Sequence, residues 1–332
     1  FVCQKGCPYR LAPETRAVVR YHDAIPVFYP HTISDQNFHL KRHYDVLRAS
    51  IARGAFFACV TEPVREDLLR LAPEAETSSA VVPDIVSPAY QPAPRPKETL
   101  AEILAMRECP ISQVRQRSNL TARIRRLIAD PHLDRYIMAV STLEPRKNYG
   151  LLLQAFEEAN RRAERPFRLV MVANPGWRYD DLLEEIKRLV AAGSVLHLAR
   201  VPIDEMRILY SNAHAVICPS RSEGFDLSGV EAMLCDTPVL ASDIPVHRWV
   251  YGEAAHYFDT YDAPALSRSL VELMGQSRDE GALAELRDRG RRQAQLYTPG
   301  TIGPKWEALF ERLTAEKRDG GGTAAVTRHA AI

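Results

Sequence analysis

Apolar residues along this chain fall into short continuous runs separated by stretches of helical spacing, and the alternation sharpens from residue 136 onward. Residues 136–140 (Tyr-Ile-Met-Ala-Val), 167–172, 195–198, 215–218 and 238–241 are apolar runs of strand length. Between them, 149–162, 180–192, 203–212 and 228–235 carry apolar positions at helical spacing, and a further helix is predicted over 263–274. Runs that are apolar on both faces, separated by helices of this length, predict a parallel sheet covered on both sides. The expectation is a doubly wound α/β domain over 135–290. Ligands of such sheets sit beyond the carboxyl ends of the strands, which directs attention to the loops after Val140, Val172, Leu198, Cys218 and Ala241.

The front of the chain alternates less regularly. Residues 16–21 read as a strand ending at His22-Asp23, followed by turns with Pro26 and Pro30, a helix over 39–53 and a strand over 56–60. Thr61, with Pro63 two residues on, reads as the N-cap of a helix, and 80–83 as a third strand. Residues 1–95 are therefore expected as a first α/β domain, closed by the proline-rich linker 88–96. The charged, helical stretch 96–134 is expected to link or bridge the domains. Residues 291–317 are expected as a helix packing back toward the first domain, and 318–332, with Gly320-Gly-Gly-Thr, as a disordered tail.

Composition narrows the function. At 332 residues, 46% hydrophobic and 26% charged, the chain is long enough for two cores, and a formal charge of +1 offers no field that would draw it onto nucleic acid. Any anion must be bound locally. The six cysteines form no Cys-x-x-Cys pair and lie mainly in apolar runs, which suits a reducing compartment, although Cys3 and Cys7 leave pairing or metal binding open. No stretch approaches the roughly 20 apolar residues of a membrane span, and no charged-then-apolar leader opens the chain, so the expected location is the cytoplasm.

The densest chemistry follows Cys218: Pro-Ser-Arg-Ser-Glu223-Gly-Phe-Asp-Leu-Ser228-Gly-Val-Glu231-Ala-Met. Ser228 and Glu231 fit a capping box, which accounts for both as helix-start residues but leaves Glu223 without a structural task. A helix start also presents free backbone N–H groups and a positive dipole end, suited to a diphosphate. A carboxylate accepts hydrogen bonds only, and it suits the paired hydroxyls of a sugar. Arg146-Lys147, after the first strand of this domain, read by themselves either as a solvated pair or as phosphate ligands.

The two glutamates in Glu-Gly-Phe-x-Leu-x-x-x-Glu-Ala-Met, followed by Thr237-Pro-Val-Leu-Ala-Ser-Asp, resemble the paired-glutamate motif of the family 4 (group 1) glycosyltransferases. Ser141-Thr-Leu-Glu-Pro-Arg-Lys-Asn, Pro175-Gly-Trp, Ile244-Pro-Val-His-Arg-Trp and Tyr21-His-Asp-Ala-Ile-Pro stand in matching order, so the resemblance spans about residues 15–310. It implies the GT-B fold, in which two Rossmann-like domains face each other across a cleft, and a retaining, metal-independent hexosyl transfer without a cofactor. By the same resemblance Glu223 holds hydroxyls of the transferred hexose, with Gly224, Phe225, Asp226, Leu227 and Ser228 lining the donor site. Glu231 takes the ribose, Arg146 and Lys147 the diphosphate, and His22 bonds the sugar or diphosphate from across the cleft. Asp23 either orients His22 or caps the following turn. His197 and His214, inside apolar runs, read as core residues.

Departures from the family pattern are expected to matter. Thr142 stands where many members carry a further arginine in the donor site, Asp226 replaces a common glycine, and Ala173-Asn174 replaces a frequent cation. Only about 20 residues precede His22, and the first residue is Phe1, so the N-terminal domain is expected to be incomplete, lacking the opening strands and a Gly-rich loop. The implied partners are a nucleotide-sugar donor, with GDP-mannose suggested by the style of the motifs, and a glycan or lipid-linked glycan acceptor of polysaccharide or O-antigen synthesis. Peripheral association with the inner face of the cell membrane is compatible with that reading, and nucleic acid is not an expected partner. Two alternatives stay open: a nucleotide-sugar-binding fragment without turnover, and a GT-B epimerase, for which only Glu223 and His22 offer acid/base groups.

Overall fold

The computed structural model describes residues 2–3, 12, 15–94, 96–112, 119–277 and 281–320. Two parallel sheets organise them. The first contains β1 (Val2–Cys3), β2 (Val18–Tyr21), β3 (Phe56–Cys59) and β4 (Ser79–Val81) in the order β1-β2-β3-β4. The second contains β5 (Tyr136–Leu143), β6 (Arg168–Pro175), β7 (Val195–Leu198), β8 (Ala215–Cys218), β9 (Val239–Ser242) and β10 (Ala255–Phe258) in the order β10-β9-β8-β5-β6-β7.

Alternation along the strands divides the second core between two faces. Met138, Val170, Val216 and Val239 pack on one side, and Ile137, Leu169, Ile217 and Leu240 on the other. Both sides are covered by helices, which is why these strands are apolar throughout rather than at every second position. The chain runs outward from β5 through β6 to β7, then crosses back to β8 and continues the other way. Strand order therefore reverses between β5 and β8, and a crevice opens at their carboxyl ends.

The first sheet is also covered on both faces, by segments far apart in sequence. Val19, Tyr21, Phe57 and Cys59 meet the helices Gln36–Ala52 and Glu62–Leu71 through Leu47, Val64 and Leu68. On the other face Val18, Phe56, Ala58 and Val82 pack against Ile302, Leu309 and Leu313 of the terminal helix Pro299–Gly320. That helix extends past residue 317, and residues 321–332 of the expected tail lie outside the described residues. So do Cys7 and the side chain of Cys3. The four described cysteines Cys59, Cys109, Cys218 and Cys235 are buried and free.

The described residues of 96–134 do more than link the two domains. Leu100, Ala101, Ile103, Leu104 and Leu133 are buried in the core of the second domain with Tyr136 and Met138. Arg107 pairs with Glu205 at 2.5 Å, and Glu108 bridges to Leu198 at the β7 edge. In the helix Lys97–Met106 the exposed Glu98 and Glu102 lie opposite the apolar face that packs on this core. Helix Pro245–Tyr251 and strand β10 are elements the apolar pattern did not predict.

Candidate functional site

The reversal between β5 and β8 brings together the two loops that the sequence singled out. Pro145–Lys147 forms a single 3-10 turn after β5, and Asn148, at φ 56°, starts the next helix in the left-handed region. Its side chain donates to Thr260 O at 3.0 Å and accepts from Arg221 Nε at 3.1 Å, which ties the turn to the loop after β8. The Arg221 amide donates to Arg146 O at 2.8 Å. The cationic pair and the glutamate loop therefore share one backbone framework.

Within it, Glu223 lies between the two cations. Its Oε2 accepts from Arg146 Nη1 at 2.8 Å and its Oε1 from Lys147 Nζ at 2.5 Å. Arg146 also donates through Nε to Glu144 at 2.9 Å, and Glu144 accepts from Thr142 Oγ1 at 2.5 Å. Burial alone raises the pKa of Glu223, but Lys147 and Arg146 outweigh it and hold the carboxyl below its ordinary value. Burial likewise opposes the charge on Arg146, and Glu223 and Glu144 more than restore it. The outcome is a compact charged cluster, preformed at the strand reversal. Glu144 is a member that the sequence reading missed; its position directly before Pro-Arg-Lys was the available signal.

The first domain closes on this loop from the opposite side. Thr61 caps its helix by accepting from the Val64 amide, and its hydroxyl also donates to Gly224 O at 3.1 Å. A Cβ on Gly224 would overlap the backbone carbonyl of His22, so a glycine is required for the strand end of β2 to approach. His22, Asp23, Ile25, Asp84 and Ile85 face Arg146, Lys147, Glu223, Phe225 and Leu227 across a cleft of about 420 Å³. Asp23 accepts from the Ile25 amide at 3.0 Å, so it caps the turn after His22. Farther along, Trp177 donates to Thr32 O at 2.9 Å and Arg178 to His31 O at 2.6 Å, joining the loop after β6 to the first domain. That junction too was absent from the sequence reading.

The start of helix Leu227–Leu234 corrects the capping box. Asp226, not Ser228, is the N-cap: its Oδ1 accepts from the Ser228 amide at 3.1 Å and from Ser228 Oγ at 2.6 Å. Its Oδ2 lies 3.2 Å from His247 Nε2, so this carboxylate is turned inward, away from the cleft. Glu231 does not reach back to the cap either. It accepts from Tyr210 OH at 2.9 Å and from Tyr90, and burial pushes its pKa up to about 7 against the pull of those two hydroxyls. Glu223, Gly224, Phe225, Leu227, Arg146, Lys147 and His22 thus share one cleft, whereas Thr142 is turned to Glu144, Ser228 to Asp226, and Glu231 lies one helical turn farther on among tyrosines. His197 and His214 are core residues, bonded to the Ala173 and Leu273 carbonyls. Among the described residues no group of three or more His, Cys, Asp or Glu side chains could hold a metal ion.

A family model for glycosyl transferases group 1 matches residues 121–295, more than half of the chain. The chain belongs to the group 1 glycosyl transferases. The O-antigen chain mannosyltransferase B of Escherichia coli is 32% identical over 164 residues, covering 49% of this chain and 42% of that protein. This group 1 member spans less than half the length of the curated relatives it matches. Sucrose-phosphate synthase from Thermosynechococcus elongatus superimposes with a TM-score of 0.65 at 19% identity, covering 91% of this chain and 68% of that one. Anabaena HepE in complex with UDP gives 0.64 at 17% identity, with 90% and 72% covered. The two-domain architecture of this group 1 transferase is GT-B. Among the described residues no helix is long and apolar enough to cross a membrane.

Proposed function

We propose that this protein transfers a hexose from a nucleoside-diphosphate sugar to a glycan acceptor with retention of configuration and without a metal ion. The observation that carries the reading is Glu223 held between Arg146 and Lys147 at the strand reversal, facing His22 across the cleft. Charge develops on the leaving diphosphate as the glycosidic bond breaks, and two preoriented cations stabilise it in place of a divalent ion. The free first-turn amides of the helix after Asp226 supply further donors for the same phosphates. Glu223, kept ionised by those cations, accepts from hexose hydroxyls while an acceptor hydroxyl attacks the anomeric carbon from the side the diphosphate leaves. His22 donates to the sugar or diphosphate from the opposite wall. Glu231 accepts from the ribose hydroxyls once its tyrosine partners give way.

Mannose from GDP-mannose is the donor we favour, with an O-antigen or related polysaccharide as acceptor; the similarity to the O-antigen chain mannosyltransferase B of Escherichia coli supports the sugar and the acceptor class. We assign the chemistry to the cytoplasmic side, where nucleotide sugars are at hand, with peripheral membrane contact through a lipid-linked acceptor. A thermal-shift panel of UDP-, GDP- and ADP-sugars tests the donor, since a ligand that binds only the folded protein raises its apparent stability. GDP-mannose is expected to give the largest shift; no shift from any donor would refute the site. Product analysis by NMR, with and without EDTA, then tests retention and metal independence. Binding without transfer would favour a donor-binding unit that needs further chain for turnover.

A further inference from the structure

Beneath the glutamate loop lies a charged pair that the proposed chemistry does not use. Asp226 is 7% exposed and His247 fully buried. His247 Nδ1 lies 2.9 Å from Ser242 O and 3.1 Å from Ser242 Oγ, while that hydroxyl donates its own proton to Ser220 O at 2.5 Å. Every neighbour of Nδ1 is therefore an acceptor, and Nδ1 carries a proton. Nε2 faces Asp226 Oδ2 at 3.2 Å. Burial alone would raise the pKa of Asp226, but the hydrogen bond and charge of His247 hold it well below its ordinary value. With a carboxylate facing Nε2 and acceptors facing Nδ1, both ring nitrogens of His247 are placed as donors.

The surroundings fix this pair under the helix that begins at Leu227. Tyr251 stacks on the His247 ring at 5.3 Å and donates to Asp226 O at 3.1 Å. A side chain at Gly229 would overlap the Tyr251 ring, so helix and clamp are in close contact. The charge of Asp226 is felt by Glu223, and that of Lys147 by Asp226. A carboxylate there supplies a strong N-cap but also places a negative charge behind the amides that would receive a diphosphate.

We propose that His247 is a positioning residue whose buried positive charge cancels Asp226, so that a carboxylate can cap this helix without repelling a nucleoside diphosphate. The proposal rests on the donor-binding reading above. It predicts different outcomes for substitutions at the two partners, a pattern that loss of packing would not produce. His247→Gln leaves the carboxylate unbalanced and is expected to weaken GDP and UDP binding about tenfold or more. Asp226→Asn keeps an oxygen for the Ser228 amide and turns its amide N–H toward His247 Nε2, which then accepts, so the pair carries no net charge and binding is expected to be unchanged. The double variant is neutral again and is expected to recover most of the affinity lost in His247→Gln.

Isothermal titration of the full chain and these three variants with GDP and with UDP reads all four values, beside melting curves for each. Should His247→Gln fail to fold, Asp226→Asn decides alone: a tenfold weakening there overturns the proposal. Equal binding by wild type and His247→Gln, or a double variant no better than His247→Gln, overturns it as well. If wild type binds neither nucleotide, the donor-binding reading falls first and takes this inference with it.

Discussion

Glu223 and Glu231 stand on the same loop and helix, eight positions apart, and the fold gives their carboxylates opposite environments. Glu223 lies at the strand reversal between two cations that hold it ionised. Glu231 lies one helical turn away, against Tyr210 and Tyr90, where burial raises its pKa to about 7. The loop after β5 supplies the difference, because it delivers both cations to one glutamate and none to the other. A carboxylate's charge state here follows from which strand ends meet, not from its place in a motif. The contrast also divides the proposed labour: a permanent anion beside the reacting sugar, and a tunable acceptor beside the nucleoside.

The strongest way to break the contrast is Glu223→Gln. Transfer is expected to fall by roughly 10²–10³-fold in kcat, the scale of a lost preorganised electrostatic contact, while the KM for donor does not rise because both cations are released to the phosphates. Steady-state kinetics with a melting curve as control checks this; a variant with undiminished kcat would remove Glu223 from the reaction. Gly224→Ala displaces the same loop without touching a charge. The added methyl meets the His22 carbonyl, and a misplacement on the order of 1 Å is expected to cost about 100-fold in kcat/KM. Nucleotide binding by Glu231 should survive that change.

Glu231→Gln sharpens the other half of the comparison. Loss of a charged acceptor for the ribose is expected to weaken GDP binding about tenfold, measured by titration at pH 8. The stability effect has a definite sign. The folded carboxyl titrates near 7 and the unfolded one at its ordinary 4.5, so the folded state holds the extra proton between those values. Its contribution is full below 4.5 and is lost as pH rises to about 7. Glu231→Gln should remove that part of the slope in chemical-denaturation curves recorded from pH 5 to 8. Tyr90→Phe is the mildest change: without a hydroxyl that favours the ionised form, the midpoint of the same slope should move to slightly higher pH.

How much of this could be read from sequence depends on whether a contact is local. The runs at 195–198 and 215–218 coincide with β7 and β8, because buried parallel strands leave an unmistakable apolar signature. Glu223, Arg146 and Lys147 were legible for a related reason: carboxyl ends of neighbouring strands must converge. The capping box was misread because Asp226 and Ser228 are both good caps, and the choice was made by His247, contributed after β9. Tyr210 and Tyr90 have no motif at all; Tyr210 reaches Glu231 from the helix Ile203–Asn212, and Tyr90 through packing of the segment before residue 96 on the second domain. Strand β10 was overlooked because His256 makes Ala-His-Tyr-Phe read as a mixed segment, the pattern of a sheet edge.

The terminal helix sets an order of events during synthesis. Phe56 and Ala58 are made early, yet the surface that shields them, Ile302, Leu309 and Leu313, leaves the ribosome only after the entire second domain. A nascent first domain must therefore wait with one face of its sheet wet, the state in which chaperones bind and neighbouring chains aggregate. The last helix therefore completes the core of the first domain, although it is made after the second.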